Sequence, residues 1–307
     1  MKLSDIAAIF GGRLEQDGVF ATLAFGTAQP GKPFLTFLEK EKFMQALLNN
    51  DQAVCVIAKA DLAERLTAAG KGVLICDAPK ALLFNIHNTW VQQGKIEYVL
   101  PEFDTMMGEN CSISPLSSID GKNVRIGNHV TIEPFVTIKG HVVIGDNCTI
   151  RAGAVIGGKG FSFAENSHGE RIGVSDGGQI IIRDNCEVFE LAQLSTPPFP
   201  WEKTILEQGV KIDAQAHIGH GAWIGQDTLV AEGARVCGNA RVGAHSWVGV
   251  GAIVSNRVEV GTHSRVSIGA VATKNVLDHT TVSGNFAIEH QRFLQNLKKS
   301  IKEEETL

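Results

Sequence analysis

A mainly β chain, wound as a parallel β-helix of hexapeptide repeats between a small α/β domain and a short C-terminal helix, is what this sequence predicts. Three observations carry that reading. An aliphatic residue recurs at every sixth position through most of residues 107–275. Glycine is abundant, 33 of 307 residues, against a usual share of about 7%, which suits a fold made largely of turns. The first 106 residues lack the period and instead alternate β-like with helix-like runs.

The N-terminal stretch has β-like runs at 19–23, 34–38, 54–57 and 73–76. Helix-like runs at 42–48, 60–68 and 79–92 separate or follow them. Alternation of that kind gives a small α/β domain, here residues 1–106. Its opening segment, broken by Asp5, Gly11 and Gly12, is poor as a signal peptide.

The period then takes over at Ile126, Ile132, Ile138, Ile144, Ile150 and Ile156, after a degenerate lead-in at Ile113 and Ile119. It resumes at Ile182, Val188 and Leu194, and runs unbroken from Leu206 to Val266 before ending at Ala272. Four residues after each aliphatic position stands a small or β-branched one, such as Val130, Cys148, Ala216, Ala234 or Ser264. Neither the 3.6-residue helix nor the two-residue strand has a six-residue period. A triangular coil of three hexapeptides does, with the aliphatic residue inside, the small one at the corner and Gly or Asn in the turn. About seven coils are predicted over 107–275. Residues 157–179 and 195–204 are too polar or too rich in proline for coil, and are expected to project as loops. The tail, 276–307, carries apolar Ile288, Phe293, Leu294, Leu297 and Ile301 among charges, as a short amphipathic helix does.

Composition narrows the function. Hydrophobic residues at 44% and charged ones at 20% describe a globular chain. A net charge of −5 argues against a nucleic-acid partner. No apolar run reaches membrane-spanning length. Six cysteines without a CxxC pair fit a reduced cytoplasm. Ten scattered histidines, with no cysteine near His217 or His220, give no metal site. The run Gly157-Gly158-Lys159-Gly160 lacks the strand–helix context of a phosphate loop.

The hexapeptide pattern resembles that of the left-handed β-helix acyltransferases, and the resemblance implies homotrimers with each active site between two subunits. A narrower likeness runs along the whole chain. Phe34-Leu35-Thr36-Phe37-Leu38 with Lys42-Phe43, Gly160-Phe161-Ser162-Phe163, Lys211–His220 and Val271-Ala272-Thr273-Lys274 resemble segments of the UDP-3-O-acylglucosamine N-acyltransferases. The segment 190–201 and Ala214 depart from that family's pattern. The reading that follows is a relative that N-acylates a dTDP- or UDP-linked amino sugar for surface polysaccharide, with a short-chain acyl-CoA as donor. Its alternative is the lipid A enzyme itself, fed by acyl carrier protein. A third, non-catalytic reading is a β-helical scaffold. No permanently bound cofactor is implied.

Amide formation from a thioester requires a base for the amine proton, donors for the oxyanion, and two substrates held together. His220, in a coil turn after Ile218-Gly219, matches the base of the resembled family. Asp213 is the candidate to orient it, and an exposed turn Asp is equally an ordinary surface residue. Phe37 and Phe43 match the rings that hold uracil. Phe161, Phe163 and His217 are candidate sugar or acyl contacts. Gly249, Ala252 and Ala270 leave room for a pantetheine arm, with Lys274 for a phosphate. Gly219, Gly249 and Gly261 offer candidate oxyanion amides. Trp201 is expected to cap the site or a neighbouring chain. His245 and His263 read as surface decoration.

Overall fold

The computed structural model describes residues 1–95, 97–284 and 286–296. The N-terminal sheet comprises β1 (Arg13–Gln16), β2 (Thr22–Leu23), β3 (Phe34–Leu38), β4 (Ala53–Ala58) and β5 (Gly72–Ile75), in the order β1-β5-β4-β3-β2. Only β1 runs antiparallel to its neighbour. Helices α1 (Leu3–Phe10), α2 (Met44–Leu48), α3 (Ala60–Ala68) and α4 (Pro79–Gln92) cover its two faces. A parallel sheet covered on both sides needs continuous apolar strands, and alternation sorts each strand between two cores. Leu35, Cys55, Ile57 and Leu74 pack with α1 and α4, whereas Phe34, Leu38, Val56 and Val73 pack with α2 and α3. Pro79 opens α4, where its missing N–H costs nothing. The first helix and first strand fall where the sequence predicts no element.

The repeats form a three-faced prism. Its first face begins at Met106–Met107, its second at Ser112–Ile113 and its third at Ser118–Ile119. The faces hold eight, nine and eight parallel strands, ending in a second-face strand at Thr281–Val282. That is one coil more than the repeat count predicts. The periodic residues Ile126 to Val266 and their small companions fill one continuous interior. Most corners place a residue in the left-handed region, recurring every sixth position, as at Asn123, His129, Phe135, His141 and Asn147. The glycines directly after the aliphatic residues serve a different purpose from the turn geometry expected of them. Gly219, Gly225 and Gly243 are not in that region, and a Cβ on any of them would meet the next coil's backbone at 2.5–2.6 Å.

The two interruptions dock the domains together, which corrects the expectation that both project. Residues 157–179 form an antiparallel hairpin, Phe163–Glu165 with Arg171–Gly173, laid against α4. Asn88 clamps it, donating to Gly173 O and accepting from Ser175 N, both at 2.8 Å. The proline-rich segment is buried from Ser195 to Pro200. Phe199 is fully enclosed in the core beneath α4, and Trp201 Nε1 donates to Leu23 O at 2.9 Å. Trp201 is thus a pin between the domains and not a cap. A buried Phe side chain contributes roughly 1.5–3 kcal/mol, so this dock is a fixed joint. In the tail, 290–296 is helical and Phe293 is half exposed; Leu297 and Ile301 lie outside the described residues.

Two buried acid–base groups sit at the joint. His87 Nε2 donates to Ser175 O at 2.8 Å and its Nδ1 accepts from the Tyr98 hydroxyl at 2.6 Å. Burial lowers His87 to about 4, so its contribution to stability is lost as pH falls from about 6.5 towards 4. Glu202 has the opposite sign. Burial raises its carboxyl to about 7, against the Phe199 amide and the Arg257 charge. The unfolded chain releases that proton near pH 4.5, so stability falls as pH rises through this window and the penalty is complete above 7. Glu202→Gln removes it. The variant should gain up to about 3 kcal/mol at pH 8 and little at pH 4.5, read from thermal melts; an equal effect at both values would refute the buried, protonated carboxyl.

Candidate functional site

A cleft of about 640 Å³ opens between the α/β domain and the prism edge where the third face returns to the first. The buried dock sets its width. From the domain side it is lined by Phe25, Phe37, Glu39, Lys40, Lys42, Phe43 and Lys80; from the prism side by His220, Gly238, Asn239, Asn256 and Arg257. Ser162, on the docking loop, joins them. Three residues singled out from sequence, Phe37, Phe43 and His220, therefore share one cavity. Phe43 is half exposed, and Phe25 meets Phe37 edge-on at 6.3 Å. Lys80 Nζ donates to Phe163 O at 2.7 Å and its backbone amide donates to Glu39 Oε1 at 3.2 Å. Four cations against one carboxylate make the cleft electropositive in a chain of net charge −5.

His220 stands in the corner between His217–Ile218 and Trp223–Ile224. Its ring lies beside Gly160 and under Gly238, where a Cβ would sit 2.7 Å from Nε2. Nδ1 is buried with no hydrogen-bond partner among the described residues. Burial first, then the charges of Arg257 and His217, pull the imidazole below its ordinary proton affinity. The ring is accordingly neutral at neutral pH and able to accept a proton. The Gly238 amide has no acceptor among the described residues, and Gly238 lies over the ring in the coil above.

Other expectations part from the geometry. Asp213 lies on a different edge, between the second and third faces. Its carboxylate accepts from Ala214 N at 2.7 Å and Glu232 N at 3.1 Å, so within one chain it caps a turn and does not orient His220. Ala252 and Ala270 point into the prism core and cannot line an outer groove; on that edge the outward apolar residues are Val250 and Ile268. The amides of Gly219, Gly249 and Gly261 donate to the next coil at 2.7–2.8 Å, which removes them as oxyanion donors. His217 is half buried on the third face, with a proton affinity lowered by burial and by Arg235. Phe161 and Phe163 meet edge-on at 5.0 Å on the docking hairpin, Phe161 almost wholly exposed. Lys274 is exposed on the His220 edge, higher up. His245 and His263 stack with His279 on the remaining edge.

Sequence reasoning missed Gly238, Asn256, Arg257, Lys40, Lys80 and Phe25. A signal existed for the first two. They follow His220 by one and two coils of eighteen residues, so they stand directly above it. Nothing comparable marked Phe25 or Lys80, which reach the cleft through tertiary packing.

The sequence matches the family model for the bacterial transferase hexapeptide (six repeats) over residues 123–158. It is 28% identical over 268 residues to the UDP-3-O-acylglucosamine N-acyltransferase of Coxiella burnetii, covering 77% of this chain and 74% of that protein. The enzyme of the same name from Helicobacter pylori is 33% identical over 104 residues, 34% of this chain and 30% of the relative. Among solved structures, the UDP-N-acetylglucosamine acyltransferase from Campylobacter jejuni aligns at 20% identity with a TM-score of 0.52, covering 59% of this chain and 68% of that one. This chain is a hexapeptide-repeat, left-handed β-helix protein that resembles the UDP-3-O-acylglucosamine N-acyltransferases.

Proposed function

We propose that the chain is an N-acyltransferase that moves an acyl group from a thioester to the amine of a UDP-linked, glucosamine-type sugar. The observation that carries this is the single cleft in which an aromatic pair, four cations and a neutral imidazole face one another. Rings at one end suit a nucleobase, cations a diphosphate, and the imidazole an amine. The relatives' names favour a UDP-glucosamine acceptor over a dTDP-linked one.

In the reaction, His220 Nε2 accepts a proton from the amine as its nitrogen attacks the thioester carbonyl. The Gly238 amide donates to the oxyanion that forms. Collapse of the tetrahedral intermediate breaks the C–S bond, and the imidazolium returns its proton to the departing thiolate. The products are an amide and a free thiol, with no covalent enzyme intermediate. Two donors are to be distinguished: a short-chain acyl-CoA, or an acyl carrier protein as in lipid A synthesis. A homotrimer is part of the proposal. Leu116, Phe135, Leu191, Val250 and Ile268 are exposed large apolar residues spaced along the edge between the second and third faces, as on a surface covered by another copy.

Thiol release from acyl-CoA or acylated carrier protein, with a UDP-amino sugar as acceptor, tests the reading; no release with either donor would refute it, and release with only one identifies the donor. His220→Ala should lower turnover by about a hundred- to ten-thousand-fold with the melting temperature unchanged; near-normal turnover would remove His220 as base. Gly238→Ala, whose Cβ would displace the imidazole, should cost about a hundred-fold in kcat while the coil stays folded. An NMR titration of the His220 ring should show a midpoint below the ordinary 6.5, the neutral form persisting into acid, because burial and Arg257 both oppose protonation; a midpoint above it would contradict the packing.

A further inference from the structure

The His220 edge carries one feature that the base and the oxyanion amide leave unused. At its left-handed corner positions, successive coils bear Gly221, Asn239 and Arg257. Gly and Asn are the residues that such a backbone ordinarily takes. Arg257 holds φ 61° there, a conformation in which long side chains are uncommon. Its amide donates to Gly238 O at 3.1 Å, which ties the corner to the coil below. Its side chain is exposed and lines the cleft, makes no side-chain hydrogen bond or close ion pair among the described residues, and reaches the buried Glu202 carboxyl only through its charge.

The other cleft cations are placed differently. Lys80 is held by Phe163 O, and Lys42 Nζ lies 5.0 Å from the centre of the Phe43 ring. Lys40 also belongs to the domain side. Arg257 is the one cation among the described lining residues that stands on the prism edge with His220.

The chemistry of the acceptor says which charge belongs there. In a 2-amino sugar carrying a diphosphate at its anomeric carbon, only the C2–C1–O bridge separates the amine nitrogen from the nearer phosphorus. A base that touches the amine therefore has that phosphate beside it, while the nucleoside lies further off. A guanidinium also matches a phosphate with two parallel N–H donors, which an ammonium cannot do. We propose that Arg257 grips the sugar-proximal phosphate of the acceptor and thereby sets the amine against His220. This rests on the acceptor proposed above and adds a specificity residue to it. A cation at this point also disfavours a protonated amine, the form that cannot attack.

The test is a pair of nucleotides that differ in that phosphate. UDP and UMP binding to the full chain is measured by calorimetry, for the native sequence and for Arg257→Asn and Arg257→Lys. Asparagine suits the corner, as Asn239 does one coil below, so the first variant should melt as the native protein does. The native chain should prefer UDP by about ten- to hundred-fold. Arg257→Asn should reduce that preference to within about three-fold while UMP affinity barely moves, and Arg257→Lys should fall between, because a point charge lacks the fork. With a UDP-2-amino sugar, Arg257→Asn should raise KM by a similar factor and also lower kcat, because the amine is no longer held against His220. A preference for UDP that survives in Arg257→Asn would overturn the assignment while leaving the acceptor intact. Failure of the native chain to bind either nucleotide would overturn the acceptor reading instead.

Discussion

Each coil of the prism hangs from the next by backbone hydrogen bonds in strict register, and that register governs everything outside it. Thr131 pairs with Thr149, Thr149 with Glu187, Glu187 with Lys211 and so on to Arg265 and Thr281. Residues one coil apart are therefore neighbours, whatever their separation in sequence. The interior enforces the register, since a one-residue slip would turn every aliphatic side chain outward. The exterior inherits it as vertical columns. His220, Gly238 and Asn256 are one such column, and Gly221, Asn239 and Arg257 the one beside it.

A bare prism offers columns but no cleft. The cleft exists because the chain leaves the coil twice at the same edge, after Ile156 and after Leu194, and returns each time in register with Ile182 and Leu206. The first excursion wraps α4; the second drives Phe199 and Trp201 into the domain's cores. Thr204 locks the return, donating to Ser195 O at 2.8 Å and accepting from Gly221 N at 2.9 Å. That last contact runs from the dock to the residue after His220. Domain placement and imidazole placement are thus settled by the same few bonds.

The fold was legible in the sequence because its period is long, regular and backed by a second small-residue position. Four of the five N-terminal strands were legible as apolar runs bounded by polar ones; Arg13–Gln16, polar and largely exposed, was not. The site was partly legible. His220, Phe37 and Phe43 carry local patterns, and the cleft unites them. Asp213, Ala252 and Ala270 misled for a common reason: adjacency in the repeat says nothing about which of three edges a residue occupies, or whether it faces in or out. Counting in eighteens from His220 assigns both. The buried dock was not legible, since a proline-rich segment reads as exposed loop until the partner that covers it is known.

The three-sidedness of the coil has an evolutionary corollary. Gain or loss of eighteen residues within the prism lengthens or shortens the shaft yet returns every later side chain to its own edge. Gain or loss of a single hexapeptide keeps the aliphatic core equally content but rotates all that follows by a third of a circle. Such an event below residue 220 would carry the imidazole away from the wall that bears Phe37 and Phe43 without unfolding anything. Lineages of this architecture can therefore vary freely in height, while the number of hexapeptides between the dock and His220 is held fixed by geometry alone.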